Sequence, residues 1–389
     1  MFKNLFGQRL QAQQEEALSN VENAVENNVE ETEGMTFVYH LIVLDESGSM
    51  YCVAGQTISG CNETIQTVRM MQNSNKDTQV HYVSIYLFES GRSRYIVHNQ
   101  PVDAVLDITD KDYRPYACTP LFDALGFTLT ELKEIMGQPD TLGYVTIITD
   151  GEENSSCRYT LEDVRNLIDE LKKKDVIFSF IGANIDAAEY AKRLNIGNSM
   201  QFVQDDEGTR AMWERERRGK MRSGAKMSFM KKFAMDEYAC SFCASENSGN
   251  YYKNDVAADR VTPAMVKSLQ DNEVFVFGSN VHGNHNGGAA GYAMAHFGAI
   301  NGQAEGLQGK SYAIPTDGVS EKELYTSICR FCEFAAQHPE QTFYVTAIGC
   351  GNAGHSPYNV APMFRQAIRL KNVKLPIEFW DFLSADYFF

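Results

Sequence analysis

The sequence predicts an α/β protein of two doubly wound, three-layer domains. Three observations carry this. The chain has 389 residues, more than one ordinary core organises. Its 43% apolar and 22% charged content is that of a globular protein. Strand-like apolar runs alternate with helix-length segments, the pattern of a mostly parallel sheet covered on both faces. The first domain is expected around a mostly parallel, Rossmann-like sheet. The second is expected to be smaller, around a mixed sheet.

Residues 1–34 are polar and acidic, with Leu10, Leu18, Val21, Val25 and Val29 at loosely helical spacing. That spacing is compatible with an amphipathic helix and equally with a disordered tail. The clearest strands follow in 36-TFVYHLIVLD-45, 79-QVHYVSIYLFES-90, 142-LGYVTIITD-150 and 176-VIFSFIGAN-184. The apolar run 41-LIVL-44 and the Val/Ile-rich 145-VTII-148 mark central strands buried on both faces. These elements place a first domain at 35–205. Residues 206–259 read as a linker, strongly basic without a clear apolar stripe over 210–233 and polar over 245–255, with room for some helix. A second domain is expected at 260–389. It is built from 273-EVFVFGSN-280, a glycine-rich loop, 289-AAGYAMAHFG-298, 310-KSYAIPT-316, a helix near 320–338 and 342-TFYVTAIGCG-351.

The formal charge of −16 argues against a chain that wraps nucleic acid or lies on anionic lipid, both of which need clustered positive charge. No run approaches the roughly 18 unbroken apolar residues of a membrane span, and the first 20 residues hold no secretory apolar segment. Nine cysteines, an odd number scattered over the chain, fit reduced thiols. A cytoplasmic location is the expectation.

In open α/β sheets, ligands sit beyond the carboxyl ends of the strands. Asp45 ends the first strand and Asp150 ends 144-YVTIITD-150. Two carboxylates so placed repel unless a cation lies between them, and the hydroxyls of Ser47 and Ser49 offer neutral oxygens beside them. Hard oxygen donors without His or Cys point to Mg²⁺, then Mn²⁺ or Ca²⁺, and away from Zn²⁺. Asp45-x-Ser47-x-Ser49, Thr119 in 117-ACTPLFDAL-125 and Asp150 in 147-IITDGEE-153 together resemble the von Willebrand factor A domain and its metal-ion-dependent adhesion site. The resemblance implies direct ligation by Ser47, Ser49 and sometimes Thr119, with Asp45 and Asp150 often acting through water. It also implies an open coordination position for an acidic side chain of a protein partner. Neighbouring Glu46, Glu152 and Glu153 read as solvated acids, and His40 and His81 as core or edge residues of strands.

The loop 278-GSNVHGNHNGGAAGYAMAHFGA-299 runs from a strand into a helix, as does 349-GCGNAGHSPYN-359. Paired glycines at a helix start allow close backbone approach, and free N–H groups there favour an anion such as a pyrophosphate. Neither loop has Walker or G-x-G-x-x-G spacing. The segments from Asn280 to Gly287-Gly288, and 348-IGCGNAGHSP-357 more loosely, resemble the macro domain, a family that binds ADP-ribose and includes enzymes removing it from proteins. The expected ligand-binding residues are Asn280, Gly287, Gly288, Gly349, Gly351, Asn352 and Gly354. Members that hydrolyse ADP-ribosyl esters commonly carry Asp two residues after the paired glycines, where this chain has Ala290, so general-base catalysis has no obvious agent. His282 and His285 are the weaker substitutes. Asp271 lies near the family's adenine-contacting acid without being assigned by spacing.

The favoured reading is a metal-dependent protein-binding module joined to an ADP-ribose or nucleotide-recognition module. The alternatives are an ADP-ribosyl hydrolase recruited by the first domain, and an assembly adaptor without a nucleotide ligand. Cys240-x-x-Cys243 and Cys329-x-x-Cys332 have half-zinc-site spacing, but the second pair lies in a helical run where such cysteines are ordinarily core. Cys350, between glycines, is expected to pack rather than react. The basic segment at 210–232 reads as solvated, since aromatic residues are not interleaved among its charges.

Overall fold

The structure is a computed structural model and describes residues 35–76, 78–183, 186–202, 206–232, 247 and 256–383. The N-terminal segment 1–34 and the Cys240/Cys243 pair lie outside the described residues. Two compact units form, and both are α/β with mixed sheets. Of the described residues, the first unit holds those through Lys220 and Asn247, and the second holds 221–232 and 256–383. No helix among the described residues is long and apolar enough to cross a membrane.

The first unit is built on β1 (Thr36–Asp45), β2 (Gln79–Phe88), β3 (Arg94–Pro101), β4 (Thr141–Thr149), β5 (Val176–Ala183) and β6 (Ser199–Phe202). Their order is β3-β2-β1-β4-β5-β6, and only β3 is antiparallel to its neighbour. Leu41 and Val43 of central β1 enter one core with helices α2 (Leu121–Ile135), α3 (Leu161–Lys172) and α4 (Ala187–Arg193). Ile42 and Leu44 enter the opposite core with α1 (Ala54–Ser74), so both faces of the strand are buried. A capping box between Thr160 and Asp163 starts α3. From β1 the chain passes to β2 and β3 on one side, then to β4 on the other. The strand order therefore reverses between β1 and β4, which puts the ends of both strands at a ligand-binding crevice.

The stretch expected as a solvated linker with room for some helix is helical from its start, as α5 (Asp206–Lys232), and part of it is buried rather than solvated. Met212 and Trp213 are buried in the core that also holds α1 residues. A Cβ on Gly60 of α1 would lie 1.8 Å from the Trp213 ring, so only glycine there lets the ring in. One turn on, Glu216 and Lys220 are each 2% exposed: Lys220 Nζ lies 3.0 Å from Glu216 Oε1, donates to Thr146 Oγ1 at 2.8 Å and sits over the Tyr144 ring. The buried side of this helix is thus partly ionic, which is why it shows no apolar stripe. Ala225 and Phe229 belong to the second unit's core.

The second unit's sheet runs β11-β10-β7-β9-β8, with β7 (Glu273–Asn280), β8 (Gly306–Gln308), β9 (Ser311–Asp317), β10 (Thr342–Val345) and β11 (Val373–Lys374). Only β8 is antiparallel to its neighbour. Val274 and Val276 of β7 face a core shared with α7 (Glu321–Gln337), while Phe275 and Phe277 pack with α6 (Gly288–His296). The order reverses between β7 and β10, and the loops that follow those two strands are the two glycine-rich segments. Asp271 precedes β7, so it lies at the opposite edge of the sheet, where it is exposed and paired with Lys310 at 2.8 Å. It is not placed to line a pocket at the strand ends.

His40 and His81 are buried on neighbouring strands, His40 Nε2 3.0 Å from His81 Nδ1, with Gln79 Oε1 3.0 Å from His81 Nε2. Burial holds both rings in the neutral form, pushing His81 down to about 3 and His40 well below its usual value. The unfolded chain binds protons at these rings near the ordinary histidine value, while the folded chain does not. Stability should therefore fall as pH drops from about 6.5 towards about 3. Denaturant titrations across that window should show a shallower slope for His81→Asn, and an unchanged slope would remove the histidines from the acid response.

Candidate metal centre and glycine-loop crevice

Asp45, at the end of β1, is fully buried. Its Oδ1 accepts from the Ser47 backbone N at 2.7 Å and its Oδ2 from the Thr149 hydroxyl at 2.5 Å. The Ser47 and Ser49 hydroxyl oxygens are 3.2 Å apart, and Ser49 donates to Asp150 Oδ1 at 2.6 Å. Thr119 enters from the loop before α2, its backbone N donating to Asn154 Oδ1 at 2.9 Å. A Cβ on Gly151 would lie 3.0 Å from Thr119 Oγ1 and 3.6 Å from Ser49 Oγ, so those hydroxyls meet beside a position without a side chain. Three segments distant in sequence thus bring two carboxylates and three hydroxyls to one crevice.

Burial pushes the Asp45 carboxyl up to about 6; hydrogen bonds from Thr149 and Ser47 oppose that shift, and the nearby Asp150 charge adds to it. A cation would reverse the penalty on the ionised form. The donor set is all hard oxygen and suits Mg²⁺, Mn²⁺ or Ca²⁺. Among the described residues no three His, Cys, Asp or Glu side chains gather as a metal-binding group. A site here therefore depends on the hydroxyls.

Two of the acids expected in solvent are not there. Glu46 is fully buried, ion-paired with Arg94 at 2.6 Å and Arg92 at 3.2 Å, because the loop after β2 folds over it. Glu153 is half-buried and accepts from Phe122 N, Ser155 N and Ser156 N, bracing the start of α2 against the loop after β4. Only Glu152 is exposed. Sequence reading also missed Thr149, whose signal was its place directly before Asp150. It missed Tyr113 too, whose hydroxyl donates to the Asp45 carbonyl oxygen at 2.6 Å and whose distance in sequence leaves no signal.

In the second unit, a Cβ on Gly278 of β7 would lie 2.9 Å from Thr316 Oγ1 and 3.3 Å from Gly349 N, so its absence lets the 349–354 loop close onto the strand. His355 holds that loop, its N donating to Gly349 O and its ring 2.9 Å from Thr316 O. Gly349 and Gly354 both have φ of +73°, a conformation that favours glycine. Asn280 Oδ1 accepts from His282 N at 3.1 Å and Asn284 N at 2.9 Å, which fixes its amide at the strand end. Cβ atoms on Gly287, Gly288, Gly351 or Gly354 would meet nothing within 4 Å, and Asn352 is exposed.

The two histidines of the 278–299 loop are placed differently. His285 is fully buried, with Nε2 2.9 Å from Ser279 Oγ and its ring edge-on to Phe277, and it braces the loop from beneath. His282, by contrast, is exposed. Ala290 is buried in the core under α6 and offers no functional group. Burial pushes the Cys350 thiol up to about 12, consistent with packing. A carboxylate that sequence order concealed stands nearby: exposed Asp317 ends β9 as the register partner of Asn280.

No family model and no curated protein matches the chain. Among solved structures, it is similar to the manganese-loaded Plasmodium vivax TRAP protein at 22% identity, over 38% of this chain and 57% of that one, with a TM-score of 0.29. It is similar to the pilus adhesin SpaC from Lactobacillus rhamnosus GG at 12% identity, over 48% and 31%, with a TM-score of 0.35. A mussel byssus protein, proximal thread matrix protein 1, is 12% identical over 65% and 56%, with a TM-score of 0.33. The chain spans 31–57% of the length of these structures.

Proposed function

We propose that the first unit holds a divalent cation, Mg²⁺ or in its place Mn²⁺ or Ca²⁺, at Asp45, Ser47, Ser49, Thr119 and Asp150, and through it captures an acidic side chain of a protein partner. The observation that carries this reading is the meeting of two buried carboxylates and three hydroxyls at the reversal point between β1 and β4. The ion, when bound, supplies a Lewis-acidic position for a carboxylate oxygen. The chain's own groups orient the donors: Ser47 N and Thr149 fix Asp45, and Asn154 fixes the Thr119 segment.

Without a cation, ionised Asp45 costs stability as pH rises from about 4 to about 6, the value to which burial raises it. At neutral pH, Mg²⁺ at a hundredfold excess over its Kd should therefore stabilise the protein by about 2.7 kcal/mol. Asp45→Ala should remove that response and still fold. Differential scanning calorimetry decides it: identical responses of both proteins to Mg²⁺ and to EDTA would refute the centre. Partner binding should fail in EDTA and weaken in Thr119→Ala.

The second unit, in the same reading, takes ADP-ribose or a related nucleotide. Support comes from the open space at Gly287, Gly288, Gly351 and Gly354 and from the backbone N–H groups at the start of α6, with Asn280 at the distal end. A Cβ at Gly351 meets nothing within 4 Å and the backbone there is not left-handed, so Gly351→Leu should leave the fold intact and abolish ADP-ribose binding in calorimetry. No heat from the wild type at millimolar ADP-ribose would leave the adaptor reading. Asp317 beside Asn280 favours the hydrolase alternative, which would stand if the wild type released ADP-ribose from modified protein and Asp317→Asn stopped it.

A further inference from the structure

Glu46 lies between the donors Asp45 and Ser47 but is not itself a donor. Its carboxylate is saturated from the protein side. Arg94 Nη1 donates to Oε2 at 2.6 Å and Nη2 to Oε1 at 3.3 Å, the Arg114 backbone N donates to Oε1 at 2.7 Å, and Arg92 Nη2 donates to the same oxygen at 3.2 Å. Its backbone is held as well, the N donating to Phe88 O and the O accepting from Tyr116 N. Glu46 thus pins the loop after β2 and the segment leading to Thr119 against the end of β1.

The two arginines are unequal. Arg94 is 27% exposed and committed, since its second nitrogen also donates to Asp112 O at 2.9 Å. Arg92 is 51% exposed and gives Glu46 a single hydrogen bond, and its other N–H groups have no protein acceptor among the described residues. Two guanidinium groups, those of Arg92 and Arg94, thus meet one buried carboxylate, and the donors left over are those of Arg92. The Arg92 guanidinium is a cation anchored by a buried partner in a chain whose overall charge is −16.

We infer that Arg92 is a second recognition point for the partner, and that the partner is a protein segment with two carboxylates. One fills the open metal position and the other meets the fork of Arg92, whose planar donors match a carboxylate two-by-two. This rests on the metal-centre reading above. Glu46 and Arg94 are positioning residues that hold Arg92 at the rim. The Arg92–carboxylate contact is an attraction between exposed charges, so its contribution to binding should weaken as salt rises.

A phage-displayed random peptide library, panned on the full chain in Mg²⁺ and eluted with EDTA, tests this. The eluted peptides should carry two acidic residues, and the strongest of them should bind Arg92→Ala about tenfold more weakly and with less salt dependence. Arg92→Lys, which keeps the charge and loses the fork, should recover only part of the affinity. The melting temperature of Arg92→Ala in Mg²⁺ checks that the fold and metal response persist. Single-acid peptides, or equal binding to wild type and Arg92→Ala, would overturn the inference and leave the metal centre standing. A library yielding nothing that EDTA elutes would take down both.

Discussion

The first unit is organised around one electrostatic constraint: two carboxylates, Asp45 and Asp150, brought to the carboxyl ends of adjacent buried strands. Placing Asp45 out of water penalises its ionised form, and Asp150 adds to the penalty. The surrounding groups all act on that cost. Ser47 N and the Thr149 hydroxyl hydrogen-bond to Asp45, and Ser49 to Asp150. Tyr113 fixes the backbone at the same point. The remaining imbalance is what a cation would remove.

The same unit shows a second way of burying charge. Glu216 and Lys220 pair within one helix and use the sheet hydroxyl of Thr146, next to the His40–His81 pair and the Tyr144 ring. Removing one member of a buried pair is strongly destabilising, about 3–5 kcal/mol, while the intact pair adds little net stability over an apolar substitute. The pair, its Thr146 partner and the gap that Gly60 leaves for Trp213 are the contacts that seat α5 on this unit.

In the second unit, backbone rather than side-chain chemistry shapes the crevice. Gly278 lets the 349–354 loop approach β7, and His285 and His355 hold the two loops by hydrogen bonds to Ser279 and to the Thr316 carbonyl oxygen. Both histidines are supports. The polar groups left at the strand ends, Asn280 and Asp317, come from neighbouring strands.

The sequence by itself determined the α/β alternation, the central strands with their Val/Ile/Leu-rich stretches, and the candidate donors Asp45, Ser47, Ser49, Thr119 and Asp150. Those features are local: periodicity and strand-end chemistry are written in consecutive residues. It also located both glycine loops. What the tertiary structure decided was every pairing across distance. Glu46 is adjacent to Asp45 in sequence, yet only the folding of the Arg92–Arg94 loop over it turns an apparently solvated acid into a buried anchor. Helix α5 hid its buried side because ions paired across space, Glu216 and Lys220 with Thr146, replace the apolar stripe that sequence reading looks for. Asp317 stands beside Asn280 because β9 pairs with β7, a register that hydrogen bonding between strands fixes and no local pattern records.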